Sequence, residues 1–237
     1  MYETLSFTIE LSLNRKIDGF MFAPLQKEAM SLGGNPFDSE LELFKDRYNR
    51  PNVHGEISIL DDLWTTRVTS HIPLKEVSAL ITKERVYTTI GVLNRELKRF
   101  GLEKPHLAVA ALNPHAGDGG IFGTEEIDVI GPAVKQAQAE GIYAEGPFSA
   151  DTLFRRVEKE KFNGIVSMYH DQAQIATKLL GFERGVTLLA GMPLAVTTPG
   201  HGTAHDIAGE NRANPSAIIR AFQIVCQLTA KKIDKED

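Results

Sequence analysis

Short apolar runs alternate along the chain with longer stretches in which apolar and charged positions recur at helical spacing, the pattern of an α/β protein. Residues 2–14 read as a helix, and Gly19-Phe20-Met21-Phe22-Ala23 as a short apolar strand stopped by Pro24. The stretch from Leu74 to Phe100 contains a helix closed by Gly101. Leu107 to Leu112 is apolar without alternation, as expected of a strand covered on both faces. Further along, Thr124 to Glu140 reads as a helix ended by Gly141, and Asp151 to Glu160 as a helix that Asp151 caps. Gly164 to Tyr169 is another buried strand, followed by a helix from Gln172 to Leu180. Val186 to Ala190 and Leu194 to Thr198 read as paired strands around Gly191-Met192-Pro193, and Asn214 caps a last helix from Pro215 to about Ala230.

Composition narrows the class without naming it. With 237 residues, 42% of them hydrophobic and 24% charged, the chain is that of an ordinary folded protein of one large or two small domains. The net charge of −5, with no long Lys/Arg cluster, argues against nucleic acid as a partner. No apolar run reaches the ~18 residues of a membrane span, and the first residues lack the features of a signal peptide. The single cysteine, Cys226, lies in the apolar run Ala221 to Leu228 and reads as a buried structural thiol, which fits a reducing, cytoplasmic setting.

Three histidines follow apolar strands or sit in polar, glycine-rich surroundings: His71 in Thr69-Ser70-His71-Ile72-Pro73, His115 in Asn113-Pro114-His115-Ala116-Gly117, and His170 in Tyr169-His170-Asp171-Gln172. Strand ends are where open α/β sheets bind ligands, and three imidazoles with an open position can hold Zn²⁺, Mn²⁺ or Co²⁺. Such a cation suits removal of hydride from an alcohol. Asp171 is read as orienting a ligand imidazole, joining the metal, or capping the helix that follows. Lys178, seven residues on, falls on the same helical face and can offer a positive charge to a substrate anion, though solvation alone also explains it. In His201-Gly202-Thr203-Ala204-His205-Asp206-Ile207-Ala208-Gly209 and the following Ala213-Asn214-Pro215, glycines and small residues leave room for a flat ring; on spacing alone a surface loop explains them as well. The usual glycine-rich dinucleotide fingerprint is not found.

The last segment resembles the cofactor loop of the isocitrate and isopropylmalate dehydrogenase superfamily. Asn113-Pro114-His115-Ala116-Gly117-Asp118-Gly119-Gly120-Ile121-Phe122-Gly123-Thr124-Glu125-Glu126, Gly146-Pro147, Ala150-Asp151-Thr152-Leu153-Phe154 and Tyr169-His170-Asp171-Gln172 resemble one branch of it, the 4-hydroxythreonine-4-phosphate dehydrogenase family of the vitamin B6 pathway, over about residues 17–225. The resemblance implies a two-domain α/β fold of the isocitrate/isopropylmalate dehydrogenase-like type, with residues 1–33 and 183–237 on the cofactor side and 34–182 forming a central metal, substrate and dimerisation domain. It implies a homodimer with a shared active site, NAD or NADP bound by His201, Gly202, Thr203, Ala204, Asp206 and Asn214, and a divalent metal (Zn, Mn, Co or Mg) held by His71, His115 and His170 of both subunits. Lys178, Asp171 and Lys27 are the implied catalytic residues, and the reaction is oxidation of a secondary hydroxyl on a small hydroxy acid, with loss of CO₂ from the β-keto acid.

Departures from the family pattern modify these expectations. Where the family has Gly-His-Thr-Glu, this chain has Ser39-Glu40-Leu41-Glu42, and Thr187 and Val196 stand where the family has Asn and Arg. Glu40 and Thr187 are therefore read as substrate-side positions, and lost anion-binding groups point to a substrate without the phosphate. The family's opening glycine-rich segment is also expected to be absent, leaving the cofactor-side domain incomplete. Alternatives are a dehydrogenase of a non-phosphorylated dihydrodiol carboxylate or sugar acid, and an inactive ligand-binding relative.

Overall fold

A computed structural model gives the structure of residues 1–50 and 55–233. The chain divides into two compact units, Met1–His54 with Phe182–Asp237, and Gly55–Gly181.

The first unit begins with α1 (Tyr2–Leu13), β1 (Gly19–Met21), α2 (Lys27–Leu32) and α3 (Glu40–Arg47). Ser39 starts α3: its hydroxyl accepts the Glu42 amide at 3.3 Å, satisfying one of the free N–H groups of the first turn. Leu43 and Phe44 on α3 are fully buried with Leu5 and Ile9 of α1, Met30, Leu189, Met192, Leu194 and Val196. Phe20 and Phe22 tilt against the Phe44 ring at 5.9 and 5.7 Å. This shared core draws residues 34–50 to the unit of the chain ends rather than to the central domain in which the sequence places them.

The second unit runs in chain order through β2 (Glu56–Leu60), β3 (Leu63–Arg67), α4 (Val77–Leu80), α5 (Lys83–Phe100), β4 (Leu107–Ala110), α6 (Gly131–Ala139), β5 (Ala144–Phe148), α7 (Ala150–Glu160), β6 (Gly164–Ser167) and α8 (His170–Gly181). Its strands lie in the order β2-β3-β6-β4-β5. Pairing is parallel except in the β2–β3 hairpin, which turns at Asp61 in the left-handed region (φ 52°). Val86, Ile90, Leu93 and Leu97 put one stripe of α5 into the core, each contributing roughly 2 kcal/mol by burial. Thr82 caps its start and Gly101 (φ 118°) its end.

The chain then returns to the first unit with β7 (Val186–Leu189), β8 (Ala195–Pro199) and α9 (Ser216–Ile233). There β8 pairs parallel with β1 and antiparallel with β7, and α9 packs on β8 and β1.

Several sequence expectations change locally. Cys226 is exposed: it lies on the outer side of α9, beside the buried Ile224 and Val225. Asp151 is not the cap of α7, because Ser149 occupies that position and donates to the Asp151 carboxylate at 2.8 Å. Nor is Asp171 a cap, since α8 already begins at His170. The helix read from Thr124 to Glu140 divides into a wide π turn, Glu126–Ile130, and α6.

Candidate active site

The ends of β3 and β6 are tied together beyond their ladder. Val68 donates to Ser167 O at 2.9 Å, Thr69 N to Met168 O at 3.0 Å, and the Thr69 hydroxyl to the same oxygen at 2.8 Å. The residues that follow, 70–71 and 169–170, are thereby brought side by side, and the His71 and His170 ring centroids are 5.5 Å apart. They line a cleft of about 370 Å³ with Ser70, Tyr169 and Asp171.

The His170 Nδ1 lies 2.7 Å from Asp171 Oδ1. That contact fixes the ring and leaves Nε2 as the atom able to bind an ion, the usual arrangement of a ligand imidazole. Two imidazoles whose nitrogens each lie ~2.1 Å from one tetrahedral ion have centroids about 5 Å apart. The pair therefore fits a divalent cation in number and kind of donor atoms, but only as part of a ligand set. Among the described residues no group of three metal-ligating side chains lies together. His115 does not join the pair within this chain; it is exposed on the loop after β4, its ring 6.2 Å from that of Phe122.

The histidines rest on polar supports, two of them buried and one half-buried, that sequence reasoning missed. Arg67, nearly buried at the end of β3, pairs with Glu56 and donates from Nε to the Ser70 hydroxyl at 2.9 Å, next to His71. Burial pushes the Arg67 guanidinium below its ordinary value, and Glu56 opposes that shift. Gln172 accepts the Met168 amide at 2.7 Å and donates to Ala111 O at 2.8 Å, linking the ends of β6 and β4. Glu126 binds the start of the His115 loop. For Arg67 and Gln172 the signal available was a polar residue close to a strand end, which is also the signature of an ordinary surface loop; Glu126, sixteen residues beyond the end of β4, carried none.

The other expected site residues are dispersed. Lys178 is exposed on α8, two turns from Asp171, and Lys27 is exposed at the start of α2. Glu40 belongs to the first turn of α3, whose Ser39-x-x-Glu42 spacing is a helix-start pattern. Thr187 is half-buried on β7. Val196 is fully buried in the core of the first unit. In the cofactor loop Gly202, Thr203, Ala204 and Asp206 are exposed, with Ala204 in the left-handed region (φ 52°). His201 Nδ1 approaches Gly202 O at 2.9 Å, while its Nε2 is buried with no hydrogen-bond partner among the described residues. Asn214 Oδ1 accepts the Ser216 amide at 3.0 Å, and its amide donates to Glu183 at 2.8 Å. No helix among the described residues is long and apolar enough to cross a membrane.

A β-decarboxylating dehydrogenase of Thermococcus kodakarensis shares the fold at TM-score 0.60 and 17% identity, the likeness covering 92% of this chain and 68% of that one. A terephthalate 1,2-cis-dihydrodiol dehydrogenase of Burkholderia xenovorans shares it at TM-score 0.74 and 24% identity, covering 94% and 71%. These likenesses show the fold, an α/β fold of the isocitrate/isopropylmalate dehydrogenase-like class.

Within that class the match is narrow. The family model described as pyridoxal phosphate biosynthetic protein PdxA matches residues 1–225, and the chain belongs to that family. The 4-hydroxythreonine-4-phosphate dehydrogenase of Desulforapulum autotrophicum is 41% identical over 225 residues, 94% of this chain and 66% of the relative. The crystal structure of the Klebsiella pneumoniae enzyme of that name superposes at TM-score 0.82 with 34% identity, covering 96% of this chain and 69% of that one. The chain thus spans about two thirds of the length of these relatives.

Proposed function

We propose that this chain carries the metal and cofactor sites of an NAD(P)-linked dehydrogenase that oxidises a secondary hydroxyl of a small hydroxy acid, working as a homodimer in the cytoplasm. The observation that carries the proposal is the His71–His170 pair, with Asp171 bound to the second ring, at adjacent parallel strand ends. His71 and His170 of one subunit and His115 of a second copy would hold the divalent cation. Exposed apolar side chains near these elements, Ile121, Phe122, Ile175 and Leu179, suit burial against that copy. When bound, the cation supplies Lewis acidity to the alcohol being oxidised.

The chain's own groups do the rest. Asp171 holds the His170 tautomer, Lys178 and Lys27 would offer cations to the substrate's anionic ends, and the hydroxyl proton would pass to water. His201, Gly202, Thr203, Ala204, Asp206 and Asn214 would hold the adenosine half of NAD or NADP, which when bound would supply the hydride acceptor. Where the oxidised carbon is β to a carboxylate, the new carbonyl accepts the electron pair released as CO₂ departs.

The substrate reading shifts from the sequence expectation. The 4-hydroxythreonine-4-phosphate dehydrogenases named above are enzymes of a phosphorylated hydroxy acid, and at 34–41% identity this likeness outweighs the local departures at Ser39–Glu42 and Val196. A phosphorylated four-carbon hydroxy acid is therefore the proposed substrate. A screen of hydroxy acids with and without phosphate, read as NADH or NADPH formation with Zn²⁺, Mn²⁺, Co²⁺ or Mg²⁺, tests it. Turnover confined to non-phosphorylated diols or sugar acids would reject the phosphate, and no turnover with detectable cofactor binding would favour an inactive relative.

Asn214→Ala is expected to raise the KM for NAD(P) about fivefold, the effect of one hydrogen bond, with a smaller change in substrate KM. Because Asn214 also caps α9, about 1 kcal/mol of stability should go with it. A fall in melting temperature with cofactor KM unchanged would remove the residue from the cofactor site.

A further inference from the structure

The loop that presents His115 is built around a carboxylate to which the proposed reaction gives no role. Glu126 is only 4% exposed. Its Oε1 accepts the backbone amides of Leu112 and Asn113, each at 2.8 Å, and its Oε2 accepts the Asn113 side-chain amide at 2.9 Å. These two backbone amides are the first beyond the β4–β5 pairing, which ends with Ala111 N donating to Phe148 O at 2.7 Å. The carboxylate thus continues the hydrogen bonding of the strand where the sheet stops.

Beyond Asn113 the backbone enters a conformation it would not choose unaided. His115, Ala116, Gly117, Asp118 and Gly119 have φ of 54, 53, 78, 44 and 65°, and three of the five carry side chains that disfavour this region. The turn closes directly over the carboxylate: a Cβ on Gly117 would lie 2.8 Å from Glu126 Oε2 and 2.9 Å from Gly123 O. A Cβ on Gly123 would lie 2.5 Å from the Asn113 side-chain nitrogen. Glu125 contributes from the other side, accepting Asn113 Nδ2 at 2.7 Å and the Ser78 hydroxyl at 2.9 Å; local hydrogen bonds, from its own backbone first and then from Asn113 and Ser78, hold its pKa below the usual carboxylate range.

We infer that Glu126 is the positioning residue of the His115 loop, fixing the left-handed turn that aims the imidazole, so that cation affinity depends on it although it touches neither cation nor substrate. The inference rests on reading His115 as a site residue. An ordinary loop anchor would affect stability; a positioning residue must also change the ring it aims. In Glu126→Gln the shape is kept, but an amide nitrogen faces the Asn113 donor, and two donors cannot share that bond.

The test compares wild type, Glu126→Gln and Glu125→Gln in the full chain. Calorimetric titration with Zn²⁺ or Mn²⁺ gives cation affinity, and histidine-labelled NMR gives the His115 ring signals. Glu126→Gln is expected to weaken the cation by roughly 10- to 100-fold and displace the His115 signals, with exchange protection lost at the Leu112 and Asn113 amides. Glu125→Gln, which leaves the backbone acceptor in place, should do less of each. A lower melting temperature with His115 signals and cation affinity as in wild type would overturn the inference. If wild type binds no cation but Glu126→Gln still moves the His115 signals, the positioning role stands and the metal reading fails. Should Glu126→Gln not fold, Asn113→Ala removes only the side-chain bridge and should shift the same signals partway; unchanged signals there would again overturn the inference.

Discussion

A purified heterodimer of His115→Ala and His170→Ala subunits should regain about half the wild-type activity per dimer, although each variant alone is inactive. Losing one ligand of a Lewis acid worth several kcal/mol lowers kcat/KM by on the order of 10³-fold. His71 and His170 come from one chain, and His115 does not reach them within it. If a second copy supplies His115, the two substitutions fall on the same one of the two sites and leave the other complete. Co-expression with two affinity tags isolates the mixed species, and thermal melting of each homodimer shows whether the fold survives. A heterodimer no more active than its parents would mean that His115 is not shared. Full activity in either single variant would remove that histidine from the site altogether.

The parts legible in the sequence were those written in local pattern. Buried parallel strands such as Leu107 to Ala110 and Gly164 to Ser167 are uninterrupted apolar runs, and α5 carries its stripe of Val86, Ile90, Leu93 and Leu97. The β2–β3 hairpin was missed because β3 is Leu-Trp-Thr-Thr-Arg, a polar sequence for a strand buried along its whole length. Its polar groups are satisfied across the hairpin and just beyond it: Thr66 donates to Glu56 O at 3.1 Å, and Arg67 reaches Glu56 and Ser70. No window of sequence shows such pairings. The same limit applies to α3, where Ser39-Glu40-Leu41-Glu42 departs from the family's substrate motif and also, by its spacing, starts a helix. At the site, residue type pointed to the histidines, but Glu126, Gln172 and Arg67 act through contacts with strand-end amides, carbonyls and hydroxyls that only the assembled sheet creates.

The Glu56–Arg67 pair leads to a second large expected effect, this time on stability. Glu56→Ala should destabilise the second unit by about 3 kcal/mol, because it leaves a buried guanidinium without its counter-charge. Only 5% of the Arg67 side chain is exposed, against 21% for Glu56, so the arginine cannot turn to water when the carboxylate is removed. Glu56→Gln keeps a neutral acceptor and should cost less, about 1–2 kcal/mol. Replacing both residues, as Glu56→Leu with Arg67→Met, should bring stability back to within about 1 kcal/mol of wild type, since apolar groups of similar size need no partner. Trp64, the sole tryptophan, is fully buried on β3, the strand that ends at Arg67, so its fluorescence in urea reports this unit specifically. A Glu56→Ala midpoint equal to that of wild type would show the pair to be screened and without net effect. The double variant also separates stability from site geometry: it restores the fold but lacks the Arg67–Ser70 bond beside His71, and its cation affinity should remain below that of wild type.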